Sequence, residues 1–223
     1  MGDNNHHDRA DVWSAVLLAA ATVASAWCAY QAALWSGDQL RELATASAAH
    51  FKSLRDDNVA SAARLVDVST FLNLIESDAR GDQQMVSYIR KHARPEFQPT
   101  LDDWFERRRA GHEPPGLPFQ QPSYRLAAEE RAQGSLREAD TATQAANAAN
   151  DHSDLFVLHT VLFASALFFL GSASSAGRRF LRKSMLVLGT VVFALSVLSM
   201  MRLPRAPTAP RPSDLRAARQ EKG

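Results

Sequence analysis

The sequence predicts an all-α membrane protein in which three transmembrane helices carry a long extramembrane helical hairpin between the first and the second. Three observations predict it. Stretches free of Asp, Glu, Lys and Arg run from Val12 to Gly37, from Leu155 to Gly177 and from Ser184 to Met201, at 26, 23 and 18 residues. About 20 apolar residues are needed to cross a hydrocarbon core about 30 Å thick, and roughly 17 is the lower limit. None of the three alternates like a barrel strand, and backbone groups in lipid are satisfied only in helices or closed barrels, so the stretches are helices. The mean hydropathy of −0.24 averages these runs against densely charged segments.

Residues 1–11 form a polar N-terminal segment and residues 12–37 the first span. Trp13 and Trp35 serve as interfacial anchors, because their separation amounts to about 33 Å of helix and sets the indoles at opposite membrane surfaces. Ala24-Ser25-Ala26 resembles a signal-peptidase site. The leader, however, carries Asp3, Asp8 and Asp11 against Arg9 alone, and the apolar run continues through Leu34, so the segment reads as a retained span.

Residues 38–154 form the hairpin. No proline or glycine interrupts Asp38–Arg80, and Leu40, Leu43, Phe51, Leu54, Leu65, Val68, Leu72 and Ile75 recur mostly at threes and fours, a helical and coiled-coil pattern. Only Gly37 separates this stretch from the first span, so one continuous helix is expected as far as Gly81-Asp82. A short helix from Asp82 to about Ala93 then stops ahead of Pro95. The irregular tip, residues 95–122, holds six of the ten prolines. Within it Thr100 reads as an N-cap before Asp102, Asp103 and Glu106, with Arg107, Arg108, Arg109 and Gly111 at the helix end. An alanine-rich helix from Tyr124 to about Asn150 returns to the second span, residues 155–177. Residues 178–183 make a basic loop, residues 184–201 the third span, and residues 202–223 a disordered, basic, proline-rich tail.

Arg178, Arg179, Arg182 and Lys183 fall within six residues, and short basic loops stay in the cytoplasm. The N-terminus is then cytoplasmic and residues 38–154 lie outside. Their 19 acidic residues against 14 basic ones exclude nucleic acid as a natural partner. The tail pulls the other way: three spans place it outside, whereas Arg202, Arg205, Arg211, Arg216, Arg219 and Lys222 favour the inside. Cys28 is the only cysteine and lies in the first span, so no disulfide braces the hairpin.

The chain has no phosphate-cradling glycine loop, nucleophile elbow, HExxH or paired CxxC, and no catalytic, cofactor-binding or metal residue is assigned. His6-His7 and the scattered His50, His92 and His112 read as surface residues. Asp56, Asp57 and Asp67 with Arg55 and Arg64 read as a solvated face. More informative are polar groups at membrane depth. Gln31, Tyr30 and His159 mark an interhelix polar contact between the first two spans, either ion-linked or signalling, or a structural pair that locks the helices. Ala15 and Ala19, Ser25 and Ala29, and Gly171 and Ser175 are spaced four apart, which predicts close packing within the chain or in a homo-oligomer. At the tip, Phe97, Trp104, Phe105, Phe119 and Tyr124 form either a contact surface for an envelope protein partner or the small core that closes the hairpin.

The stretch Ala21-Thr22-Val23-Ala24-Ser25-Ala26-Trp27-Cys28-Ala29-Tyr30-Gln31-Ala32-Ala33-Leu34-Trp35-Ser36-Gly37 resembles the first span of a family of uncharacterised bacterial three-span inner-membrane proteins. Arg94-Pro95-Glu96-Phe97 and Leu162-Phe163-Ala164-Ser165-Ala166-Leu167-Phe168-Phe169-Leu170-Gly171 are similar to later motifs of that family. The resemblance implies a multi-pass protein of the bacterial inner membrane with this plan, and supplies no activity. The expected function is that of a noncatalytic envelope protein, with a partner-binding, scaffold or sensory role for the hairpin. The alternative is a subunit of an oligomeric channel or transporter, for which Ser14, Thr22, Ser25, Thr190 and Ser199 give only a thin polar stripe. A membrane-surface enzyme would have to use Asp102, Asp103, Glu106 and His112, and is the least supported.

Overall fold

A computed structural model describes residues 4–111 and 116–206, with side chains from Val12 onward. Every regular element among them is helical: α1 (Asn4–Ala79), α2 (Gln83–His92), α3 (Gln98–Arg109), a 3-10 turn (Pro118–Gln120), α4 (Ala127–Ser175) and α5 (Arg179–Met200). Three of these, α1, α4 and α5, are long and apolar enough to cross a membrane. That is the helix content of a multi-pass membrane protein.

The boundaries follow local chemistry. Gly37 does not break α1, which runs unbroken until Gly81 adopts φ of 76°. There the amide of Asp82 bonds the carbonyl of Ser77 and that of Gly81 the carbonyl of Asp78, the paired bonds of a Schellman stop. Asp82 then caps α2, its carboxylate accepting from the Met85 amide at 3.0 Å. Thr100 is not the cap of α3. The helix begins two residues earlier, with Pro99 in its first turn, where a missing N–H costs nothing, and the side-chain Nε2 of Gln98 donates to the carbonyls of Lys91 and Ala93. Gly111, at φ of 70°, marks the end as expected. The basic loop is shorter than its sequence implies, since Arg179, Arg182 and Lys183 lie in the first turns of α5.

The chain divides into two compact units, one from Ala44 to Ala142, the other from the residues up to Leu43 and from Thr143 onward. In the first unit, α1 turns Ala46, Ala49, Asp56, Ala60 and Asp67 inward, with Ser53 and Ala63 half-buried between them. These positions alternate by three and four. The facing positions of α4 are Ala128, Ala132, Ser135, Ala139 and Ala142, also buried and also at threes and fours. Ser53 Oγ donates to the Ala132 carbonyl at 2.9 Å, and Arg64 pairs with Glu129 at 2.8 Å. Phe51, Leu54, Leu65 and Leu72, whose recurrence marked α1 as a helix, point away from this seam and are exposed.

Beyond the seam, Phe71, Leu74, Ala93, Phe97, Leu101, Trp104 and Phe105 make one buried cluster, with Phe119 and Tyr124 packed against it. The tip segments thus fold back onto the end of α1. In the second unit, Cys28, Ala32 and Trp35 of α1 pack with Ala149, Phe156 and Phe163 of α4, and Phe193, Val197 and Met200 of α5 close the cluster. Gly189 permits the approach of α5 to α4, because a Cβ there would stand 2.8 Å from Leu170 Cγ. Leu203 and Ala206, read from sequence as the start of a disordered tail, also join this core; residues 207–223 lie outside the described residues.

Candidate functional site

Among the described residues each unit contains a buried polar node; that of the apolar spans includes Gln31 and His159, which the sequence singles out, and the other is not evident from sequence motifs. In the Ala44–Ala142 unit the node centres on Asp67, 1% exposed. Its Oδ1 accepts from Arg94 Nε at 3.2 Å, and its Oδ2 accepts from Arg94 Nη2 at 2.6 Å and from the Tyr124 hydroxyl at 2.9 Å. Arg94 also pairs with Glu96. Ala93, which ends α2, is extended, and Arg94 follows it directly ahead of Pro95, a position that disfavours helix. Three separate segments therefore meet on one carboxylate: the seam of α1, the link between α2 and α3, and the lead-in to α4. The hydrogen bond to Asp67 holds the Arg94 guanidinium above its ordinary pKa, against the opposing effect of burial. Burial, and next the bond to Asp67, pushes the Tyr124 phenol up to about 12.

Asp67 is therefore not part of a solvated face. Its acceptor sites are taken by a bidentate arginine and a phenol, an arrangement that braces and does not leave a free base. The rings of the tip surround this node. Phe97 stacks on Phe119 with centroids 5.5 Å apart, and Tyr124 stands edge-on to both. Trp104 meets Phe71 edge-on and donates Nε1–H to the Gly116 carbonyl at 3.3 Å. Phe97, Trp104 and Phe105 are buried and Phe119 and Tyr124 half-buried, so all five sequence-selected aromatics belong to the packed interior of the tip.

In the unit of the apolar spans, Gln31 and His159 are both buried, whereas Tyr30 is exposed and pairs with Trp27. Gln31 Oε1 accepts from the Ala206 amide at 3.0 Å. His159 donates from Nδ1 to the Leu155 carbonyl at 2.7 Å, and its Nε2 is buried with no hydrogen-bond partner. Nearly two turns towards the α4 N-terminus, Ser153 Oγ donates to the Ala32 carbonyl at 3.1 Å. Trp35 is buried against the His152 ring, centroids 4.6 Å apart, with Trp35 Nε1 and His152 Nδ1 also unpartnered. Of the two tryptophans expected as interfacial anchors, Trp13 is exposed and Trp35 buried. Among the described residues no group of three His, Cys, Asp or Glu side chains is placed to hold a metal ion. His112 and the side chains of His6 and His7 lie outside the described residues.

Comparison with protein-family models, with curated proteins and with solved structures finds no match to this chain.

The Asp67 node escaped motif analysis because its partners are 27 and 57 residues away. One signal pointed to it. Asp56 and Asp67 share the three-and-four phase of Ala46, Ala49, Ser53, Ala60 and Ala63, so an acidic residue at that phase belongs to the seam.

Proposed function

We propose that this chain is a noncatalytic protein of the bacterial inner membrane whose helical hairpin, residues 38–154, is a braced arm outside the cytoplasm that binds, scaffolds or senses an envelope partner. In this reading α1, α4 and α5 cross the bilayer, and the small-residue seam of α1 and α4 is an antiparallel coiled coil. The observation that carries it is the Asp67 node. A carboxylate shared by Arg94 and Tyr124 ties the tip to both arms, so that a load on the tip reaches α1 and α4 together. The small residues of the seam support the same role, because closely packed backbones stiffen the Ala44–Ala142 unit itself. The hydrogen bond from the Ala206 amide to Gln31 supports a C-terminal tail that leaves on the side of Asp38, consistent with three crossings. The family resemblance of the first span supports the bacterial inner membrane as the location.

The test is cysteine accessibility in intact cells. On a Cys28→Ser background, Ser123→Cys and Ser213→Cys are labelled with a membrane-impermeant maleimide. Labelling of both is expected. Labelling of Ser123→Cys only after lysis would put the hairpin in the cytoplasm and end the envelope reading.

A further inference from the structure

We propose that the outward face of α1 between Phe51 and Leu72 is the seam of a parallel homodimer with a second copy of this chain in the same bilayer; its parallel direction rests on the membrane reading above. Phe51, Leu54, Asn58, Ser61, Leu65 and Leu72 follow one another by three, four, three, four and seven residues. All six are exposed, Phe51 at 73% and Leu65 at 72%. The spacing averages 3.5 residues per turn, the period at which two supercoiled helices keep one face together. The inner seam of α1 has the same period, so the two faces stay opposed along the helix and the outer one is free for another molecule.

That face is not the ordinary outside of a two-helix arm. The outward side of α4 in the same unit carries Glu130, Gln133, Arg137, Glu138 and Asp140, all exposed, whereas the outward side of α1 carries phenylalanine and leucine. Lipid is not the occupant, since Arg55, Asp57 and Arg64 flank the row.

The composition of the row selects a second copy. Phe51, Asn58, Leu65 and Leu72 share one heptad position, and Leu54 and Ser61 share the other, with the shorter step of three leading from the first to the second. Asn58 thus occupies the position at which a single asparagine sets the register of parallel two-stranded coils. Its amide both donates and accepts, so two Asn58 side chains satisfy each other across a two-fold axis. The flanks permit this register: Asp57 would face Ala62 of the second copy, Arg64 would face Ser69 and Arg55 would face His50, so that no two arginines and no two carboxylates are opposed. Because α1 continues from an apolar span, two copies inserted alike present this face in the same direction.

The test is disulfide cross-linking of the full chain in its membranes on a Cys28→Ser background. Ser61→Cys lies on the seam and should give a covalent dimer at least ten times faster than Lys52→Cys, which is exposed but off the seam. Adding Leu65→Glu to Ser61→Cys should lower that rate at least tenfold. Equal rates at the two positions would indicate collision and overturn the proposal, as would preferential linkage of Ser47→Cys in one copy to Leu72→Cys in another, the antiparallel pairing. Absence of the Ser61→Cys dimer while Ser123→Cys stays labelled from outside would overturn the dimer and leave the envelope reading intact. A Ser61→Cys dimer with Ser123→Cys labelled only after lysis would support the dimer and overturn the envelope reading alone.

Discussion

Across α1 from the alanines that meet α4 stand a phenylalanine and three leucines. Within the Ala44–Ala142 unit the inner face of this helix is small and partly acidic, with Ala46, Ala49, Asp56, Ala60 and Asp67, and the outer face is large and apolar, with Phe51, Leu54, Leu65 and Leu72. Hydrophobicity alone would assign them the other way round. What decides is the approach of the backbones: a serine hydroxyl on α1 reaches a main-chain carbonyl on α4 at 2.9 Å, which leaves no room for leucine between the helices. Small side chains gain less apolar burial per residue but bring more backbone into contact. The close seam also surrounds Asp67 tightly enough to require the arginine and the phenol that complete it.

The comparison can be broken by changing one face at a time and following unfolding of the detergent-solubilised chain. The largest effect is expected for Arg94→Ala, which strands the Asp67 carboxylate and should destabilise the unit by about 3–5 kcal/mol; a loss below about 1 kcal/mol would deny the node its bracing role. Ala60→Leu, at a buried inner position, should cost about 1–3 kcal/mol through overpacking. Tyr124→Phe should alter the pH dependence. The folded protein keeps this phenol neutral up to about 12, whereas an unfolded tyrosine ionises near pH 10. The associated stability is complete below about pH 10 and lost as pH rises towards about 12, so wild type should lose more stability than Tyr124→Phe across that window. Asp56→Ala should have the opposite sign. Asp56 Oδ2 is buried without a hydrogen-bond partner, and its nearest cations, Arg131 and Arg55, stand at 3.8 and 3.9 Å. Alanine suits the seam and should raise stability by about 1 kcal/mol. The smallest effect is expected for Leu65→Ser on the outer face, within about 0.5 kcal/mol for the monomeric chain.

Much of the fold was legible in the sequence. Three uncharged runs identified three candidate spans, and the lack of glycine or proline between Asp38 and Arg80 identified the continuity of α1. The Gly81-Asp82 stop and the Gly111 stop were visible because each needs a residue type that few positions otherwise favour. The start of α3 was misread at Thr100 because a threonine before acidic residues has the look of a cap, while Pro99 in the first turn carried the stronger signal. The inner face of α1 was missed because alanine contributes little to a hydrophobic pattern; the regularity of Leu54, Leu65 and Leu72 dominated it. Of the polar pair in the spans, Gln31 and His159 were found and are buried, but the partner of Gln31 is the Ala206 amide, which no side-chain pattern encodes.

The opposition of the two faces is tested most directly by mapping which residue of α1 lies against Ala132. On a Cys28→Ser background, Ser53→Cys with Ala132→Cys should form an intramolecular disulfide readily, and Leu54→Cys with Ala132→Cys should not. Faster closure of the Leu54→Cys pair would turn α1 about its axis, put the leucines inside and contradict the account.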